Sequence, residues 1–246
     1  MLSTYRNLGR RRNTTQNAGV NATASRYTLK PDAHSSHSVI LRWLGDGHGR
    51  RVLDVGAADG LLSRPLTVRG WRVTALEADP QAAAAAQSHC ERVIVADLDV
   101  AVPALDPPFH AIVCGDVLEH LARPGPALGA LAGALAPHGA IVVSVPNVAH
   151  VWVRLSLLAG RFEYAERGIL DRTHLRFFTD RSLRALLAEA GLTVTRATAT
   201  PAPLYQVVPE RYHGAVLART HAASAAAARR LPRLLGYQLV VQAVRS

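Results

Sequence analysis

Several clusters in this chain have residue types and spacing that could do chemistry. The first is Asp54-Val55-Gly56-Ala57-Ala58-Asp59-Gly60, where an apolar run gives way to small residues. Gly56, Ala57, Ala58 and Gly60 would let a ligand come close to the backbone. Asp54 is a carboxylate inside a strand-like run, so it needs partners, either loop amides or a ligand ammonium. About 20 residues on, Leu76-Glu77-Ala78-Asp79 offers a carboxylate placed to accept hydrogen bonds from both hydroxyls of a ribose. Val95-Ala96-Asp97-Leu98 brings another acid to the same rim, suited to an adenine amino group, with Leu98 packing on the ring. These residues describe a nucleoside site. They fit a dinucleotide poorly, because Ala58 and Leu61 break the order G-x-G-x-x-G. Taken alone, such a turn is equally a tight strand-to-helix connection.

Two further clusters carry titratable groups. In Gly115-Asp116-Val117-Leu118-Glu119-His120-Leu121, His120 is placed to act as a general base or to cap and pack against the following helix. Asp171, Thr173, His174 and Arg176 lie among apolar residues, where a polar set is expensive to bury without a purpose or a network. One reading is an acceptor-side site, and the other is a network that orders the loop.

The elements that must position these groups follow from an alternation along the chain. Arg51 to Val55, Arg72 to Leu76, Arg92 to Val95, Ala111 to Cys114 and Ile141 to Val145 are short strand-like runs separated by helical stretches. That pattern predicts a parallel sheet covered on both faces. In such a sheet a ligand sits outside the carboxyl ends of the strands, which is where the acids and the small-residue loop fall. Leu192 to Thr198 and Tyr237 to Val244 supply two last strands on either side of a long irregular insert, within which Ala222 to Ala228 reads as helix. A helix is expected from Ser35 to Leu44, ended at Gly45-Asp46-Gly47; Asp79 and Thr179 are expected helix caps, and Gly191 a stop. The helix opening near Gly60 should present free amides, and Pro65 should kink it.

The run Asp54 to Gly60, with Glu77 and Asp97 in order behind it, resembles the acidic-x-Gly-x-Gly-x-Gly pattern of class I S-adenosylmethionine-dependent methyltransferases. Ala58 stands where the middle glycine is usual. The segment Asp116 to His120 is similar to the D-x-L-E-H stretch of small-molecule members. Gly168 to Thr179 resembles a G-x-L-D-x-T-H-L-R-F-F-T signature of bacterial members, several of them associated with sugar or cell-surface polysaccharide tailoring. The resemblance spans about Tyr27 to Ser246. It implies an α/β, doubly wound, mostly parallel seven-stranded sheet with helices on both faces and the last strand antiparallel.

The same resemblance implies S-adenosylmethionine as methyl donor and S-adenosylhomocysteine as product. The implied donor-binding set is Tyr27, His37, Asp54, Gly56, Ala57, Ala58, Gly60, Glu77, Ala78, Asp97, Leu98, Asp116 and Val117, with Tyr27, Ser36 and His37 in a lid. On the reaction side it implies O-methylation of a small-molecule acceptor, a sugar or secondary metabolite. His174 is the first candidate base and His120 the second, and Asp171 is the third catalytic candidate. No metal ligand spacing is visible, so no metal is expected.

Charge and composition set the outer limits. The chain has 246 residues and a net charge of +10. Basic residues gather at its ends, from Arg6 to Lys30 before the first acid, Asp32, and from Arg229 to Arg245. Residues 1–25 read as a flexible basic segment and 26–246 as a single domain, with a lid at about 27–48 and acceptor-side insertions at about 147–178 and 200–235. No apolar run approaches the ~20 residues of a membrane span, and two cysteines without metal spacing suit a cytoplasmic protein.

The rival readings are a nucleic-acid methyltransferase, a non-catalytic donor-binding module and a nicotinamide oxidoreductase. Asp106-Pro107-Pro108-Phe109 matches a tetrad used on base amines, but it precedes the fourth strand rather than following it, so nucleic acid is disfavoured.

Overall fold

A computed structural model describes residues 32–246. Tyr27, expected in the lid, and the basic segment 1–25 lie outside the described residues.

Seven strands form one sheet in the order β3-β2-β1-β4-β5-β7-β6. They are β1 (Arg51–Val55), β2 (Arg72–Glu77), β3 (Arg92–Val95), β4 (Phe109–Gly115), β5 (Leu135–Pro146), β6 (Leu192–Thr200) and β7 (Gln238–Arg245). Neighbours from β3 through β5 pair in parallel, whereas β7 runs antiparallel to both β5 and β6. This is the expected architecture.

The helices are α1 (Ser36–Leu44), α2 (Ser63–Val68), α3 (Pro80–Ala86), α4 (Pro124–Gly133), α5 (Val151–Leu158), α6 (Asp180–Glu189), α7 (Leu204–Val207), α8 (Ala215–Arg230) and α9 (Pro232–Leu235). Side-chain alternation explains why both faces of the sheet are covered. Leu53, Val55, Ile112, Cys114, Val143 and Val241 point to one face, where Leu128 and Leu131 of α4 and Leu183 and Leu187 of α6 cover them. Val52, Val113, Val142 and Val240 point to the other and pack with Ile40 of α1, Leu66 of α2 and Trp71. Caps fix the helix starts as the sequence indicates: Asp79 accepts from the Gln81 amide, and Thr179 forms a capping box with Ser182.

The structure corrects three local expectations. β5 begins at Leu135, not Ile141, because Leu135 pairs with Phe109 before the register shifts at Ala111. Gly139 permits this, since a Cβ there would lie 2.9 Å from the Phe109 carbonyl. Regular helix in α2 starts at Ser63, three residues later than expected, and Pro65 falls in its first turn; lacking an N–H, it interrupts the helical ladder and the chain before Ser63 is a series of turns. The segment between β6 and β7 is mostly helical rather than irregular. The C-terminal arginines belong to ordered elements: Arg229 and Arg230 close α8, Arg233 pairs with Asp180 at 3.1 Å, and Arg245 ends β7.

The parallel strands all end at one rim, and the two insertions leave from it. Residues 147–178 follow Pro146 of β5, and residues 201–237 connect Thr200 of β6 to Gln238 of β7, which are paired neighbours. Asn147, fully buried, ties the two insertions together by donating to the Gly236 carbonyl at 2.8 Å and accepting from the Ala149 amide. His221 of α8 is bonded to Asp32 at 2.7 Å, which pins α8 near the start of α1. Among the described residues no helix is long and apolar enough to cross a membrane.

Candidate active site at the strand rim

The loop after β1 folds back on β2. Gly56 and Ala57 both donate to the Leu76 carbonyl, and Ala58 donates to the Glu77 carboxylate at 2.8 Å. Gly60 and Leu61 donate to the Ala57 carbonyl. The amides expected to face a ligand are therefore consumed inside the loop, which leaves little to hold an anion. Gly56 is exposed at φ +65°, and a Cβ there would strike Val117 at 2.6 Å, so a small residue is obligatory where the loop meets the end of β4. Ala58 and Gly60 also have positive φ, +49° and +90°.

Carboxylates crowd the same rim. Glu77 is held by three backbone amides, those of Ala58, Ala78 and Asp79. Asp97 is exposed at the end of β3 and accepts from the Asp99 amide, while Leu98 packs with Val117 against the core. Asp116, at φ +59°, accepts from Ser144 Oγ at 2.6 Å and from Gln238 Nε2 at 2.8 Å. His37 is buried in α1 one turn before Ile40, and Ile40 packs near Gly115 at the end of β4.

Asp54 takes a different place from the other acids. It is 2% exposed on the α2 face beneath the loop, with Ser63 Oγ donating at 2.7 Å. Its partner is thus the helix start, not a loop amide. Burial raises its pKa to about 7, against the opposing effect of the Ser63 hydrogen bond.

A second cluster is built from two segments far apart in sequence. The Glu119 carbonyl accepts from the amides of Leu175 and Arg176, which clamps residues 168–178 onto the turn after β4. His120 and His174 then meet edge to face, with ring centres 4.9 Å apart. His120 Nδ1 lies 3.2 Å from the Thr173 carbonyl and His174 Nδ1 lies 3.0 Å from that of Ile169. Burial, with the second imidazole beside it, lowers the His120 pKa and favours its neutral form. Asp171 Oδ1 accepts from both the amide and the hydroxyl of Thr173, at 2.8 Å each, so it shapes this turn. Arg176 donates to the Ala122 carbonyl. Beyond His174, Phe162, Tyr164 and Phe177 form an aromatic cluster, with Phe162 and Tyr164 largely exposed.

The structure thus gathers Gly56, Ala57, Ala58, Glu77, Asp97, Leu98, Asp116 and Val117 at one rim, with His120 within electrostatic reach of Asp116 and Asp171 and in ring contact with His174. Asp54 supports the loop from below. Sequence reasoning missed Ser144 and Gln238, which hold Asp116, and gave no separate role to Glu119, which is 1% exposed. Ser144 did carry a signal, because a hydroxyl inside the apolar run Ile141 to Val145 is as anomalous as Asp54 in β1. The expected Asp106 to Phe109 rival lies at the other end of β4, where Asp106 pairs with Arg51.

Residues of this kind suit a nucleoside bearing positive charge. The donor of class I methyltransferases, S-adenosylmethionine, has a ribose, an ammonium and a sulfonium. The fit rests on the exposed Gly56 turn, the internally satisfied amides and the carboxylates of Glu77 and Asp97.

Comparison with known proteins agrees. A family model described as a methyltransferase domain matches residues 29–197. Ubiquinone biosynthesis O-methyltransferases are similar over part of the chain. The one from Xylella fastidiosa (strain 9a5c) is 36% identical over 155 residues, 58% of this chain and 61% of that one. The one from Caulobacter sp. (strain K31) is 33% identical over 165 residues, 61% and 64% of the two chains. The matched region is therefore about three fifths of the length of these relatives. Among solved structures, magnesium protoporphyrin IX methyltransferase from Synechocystis PCC 6803, with S-adenosylhomocysteine bound, superposes with a TM-score of 0.57 at 17% identity, covering 86% of this chain and 82% of the other. A methyltransferase from Thermotoga maritima, described as a possible histamine N-methyltransferase, gives 0.59 at 15%, covering 86% and 88%. Because the family model spans well over half of the chain and takes in both the Gly56 to Gly60 loop and the His120–His174 pair, this protein belongs to the class I S-adenosylmethionine-dependent methyltransferases.

Proposed function

We propose that this chain transfers the methyl group of S-adenosylmethionine to a hydroxyl of a small ring-bearing acceptor, of the sugar or secondary-metabolite kind. The observation that carries this reading is the His120–His174 pair, with His120 near Asp116 and His174 against Phe177 of an exposed aromatic cluster. Aromatic faces at Phe162 and Tyr164 suit a planar or pyranose ring. The O-methyl reading also draws on the partial likeness to ubiquinone biosynthesis O-methyltransferases.

When bound, S-adenosylmethionine supplies a methyl already activated on sulfur: the acceptor oxygen forms the new O–C bond as the S–C bond breaks and the sulfonium becomes a neutral thioether. Glu77 and Asp97 would hold the ribose and adenine, and Val117 would floor the site. Asp116, fixed by Ser144 and Gln238, would take the ammonium side. The neutral imidazole of His120 would accept the hydroxyl proton, with His174 packed behind it. Positioning supplies most of the effect, worth up to ~7–11 kcal/mol in favourable cases.

The test is an assay with methyl-labelled S-adenosylmethionine against simple catechols, phenols and hexopyranosides, with products located by mass spectrometry. Label on an acceptor oxygen, lost in His120→Ala while donor binding persists, is the expected result. Label on an amine or on nucleic acid contradicts the proposal.

A further inference from the structure

We propose that the groove between α1 and α8, floored by β6, binds a small molecule through a phosphate or diphosphate group. Three guanidiniums converge there. Arg42 comes from α1, Arg196 from β6 and Arg229 from the last turn of α8, and His34, Trp43 and Thr198 help to line a cavity of about 260 Å³. That is just below the ~300–1,000 Å³ of sites for drug-sized molecules, so a compact ligand fits.

The fold creates this groove. β6 is the edge strand, and an irregularity between Val194 and Arg196 resets its alternation, so that Arg196 pairs with Gln242 and Thr198 with Val240. Paired residues share a face of the sheet. Val240 packs with Ile40 of α1, which places Thr198, and Arg196 two residues before it, on the α1 face. α1 packs over β4 and β7 and α8 over β6, and the groove is the seam between the two helices. The His221–Asp32 bond holds α8 there about two turns before Arg229.

The positive charge at this seam has no internal counterpart. Among the described residues no carboxylate pairs with Arg42, Arg196 or Arg229. Asp32, the acid of this corner, is engaged by His221 at 2.7 Å and by the His34 amide at 3.0 Å. No Asp or Glu precedes it in the sequence, so residues 1–31 bring no counter-charge. Burial first, and then the charges of Arg229, His221 and Arg42, hold the His34 pKa below its ordinary value against the pull of Asp32. Like charges lining one small cavity repel, and an anion between them removes that cost.

The guanidiniums are also prepared for phosphate. Arg196 lies over the Trp43 ring, 4.5 Å from its centre, so its face is occupied while its edge keeps the fork of N–H groups that matches phosphate bidentately. Arg42 is anchored through one N–H to the Ala33 carbonyl at 2.7 Å, and a guanidinium has five such donors. This groove is separate from the Gly56 to Gly60 loop: β6 stands four strands from β1, roughly 19 Å at the usual strand spacing.

The experiment titrates the full chain calorimetrically with inorganic phosphate, pyrophosphate, glucose 1-phosphate and, as an anion without phosphorus, citrate, at an ionic strength held constant with NaCl. The expected result is saturable binding of one equivalent of a phosphate compound. Arg196→Gln and Arg229→Gln each weaken it by ~10-fold or more, while circular dichroism shows both remain folded. Arg181→Gln, on α6 across the sheet, leaves it within about two-fold. Tighter binding of glucose 1-phosphate assigns the groove to a phosphate ester, and tighter binding of the inorganic ions to free phosphate or diphosphate. No saturable binding, citrate binding as tightly as every phosphate compound, or unchanged affinity in both groove variants overturns the proposal. S-adenosylhomocysteine titrated into the same samples reports the donor site separately: its affinity stays unchanged in both variants, and joint loss of both ligands overturns the assignment of a separate groove.

Discussion

The Glu77 carboxylate and the Ala58 amide meet at 2.8 Å across the ends of β1 and β2, and Ala58 accepts a left-handed backbone, φ +49°, to make that contact. A residue with a Cβ is strained there by roughly 1–2 kcal/mol. Glycine removes the strain but adds freedom to the unfolded chain. Ala58→Gly should therefore raise stability by up to about 1 kcal/mol, read by urea unfolding. A loss of stability would show that the turn is not strained.

Asp54 makes a pH-dependent cost visible. Its folded pKa, raised to about 7, exceeds the ordinary 3.8, so between those values the folded state holds a proton that the unfolded state has lost. Stability should fall as pH rises from about 4 to 7, by an amount on the order of 4 kcal/mol. Asp54→Asn should lack this component of the slope, which chemical denaturation at a series of pH values will measure. Equal slopes in both proteins would mean Asp54 is ionised in its buried place.

Ser144 sits under Asp116 and donates to it at 2.6 Å. Ser144→Ala leaves a partly buried carboxylate with one fewer donor and should cost about 1–3 kcal/mol of stability. It should also weaken S-adenosylhomocysteine binding, because Asp116 then keeps Gln238 but loses its floor. An effect below about 0.5 kcal/mol would place Asp116 in solvent instead.

Gly168 opens the turn that carries His174 and lies against Tyr237. At φ +102°, a Cβ would lie 2.6 Å from the Tyr237 hydroxyl, so Gly168→Ala strains the backbone of the turn that carries His174 and presses on Tyr237. Methyl transfer should fall by ~100-fold, as misplacement of about 1 Å does elsewhere, with S-adenosylhomocysteine affinity within about two-fold of wild type. Comparable losses in both would tie residues 168–178 to donor binding.

The legible parts of this chain are those written in local pattern. β1 and β3 were bounded to the residue, because β-branched runs flanked by turn residues leave little choice. The convergence of Glu77 and Asp97 at one rim was legible for the same reason: they follow strands whose ends must lie together. Leu135 to Gly139 was not, since Pro137 and Gly139 look like breakers until the bulge opposite Phe109 is seen. The amides of Gly60 and Leu61 were wrongly expected to be free because spacing cannot tell that the Ala57 carbonyl accepts both. Glu119 and His174 come together through hydrogen bonds between segments more than 50 residues apart, and nothing local records that.

The most direct measurement is calorimetric titration of the full chain with S-adenosylhomocysteine, beside a Glu77→Ala variant shown to be folded. Wild-type binding at micromolar Kd, weakened at least ~10-fold in the variant by loss of a charged hydrogen-bonding group, is the expected result. No binding to folded wild-type protein, or equal affinity in the two, would contradict the assignment of the Gly56 to Gly60 rim as the methyl-donor site.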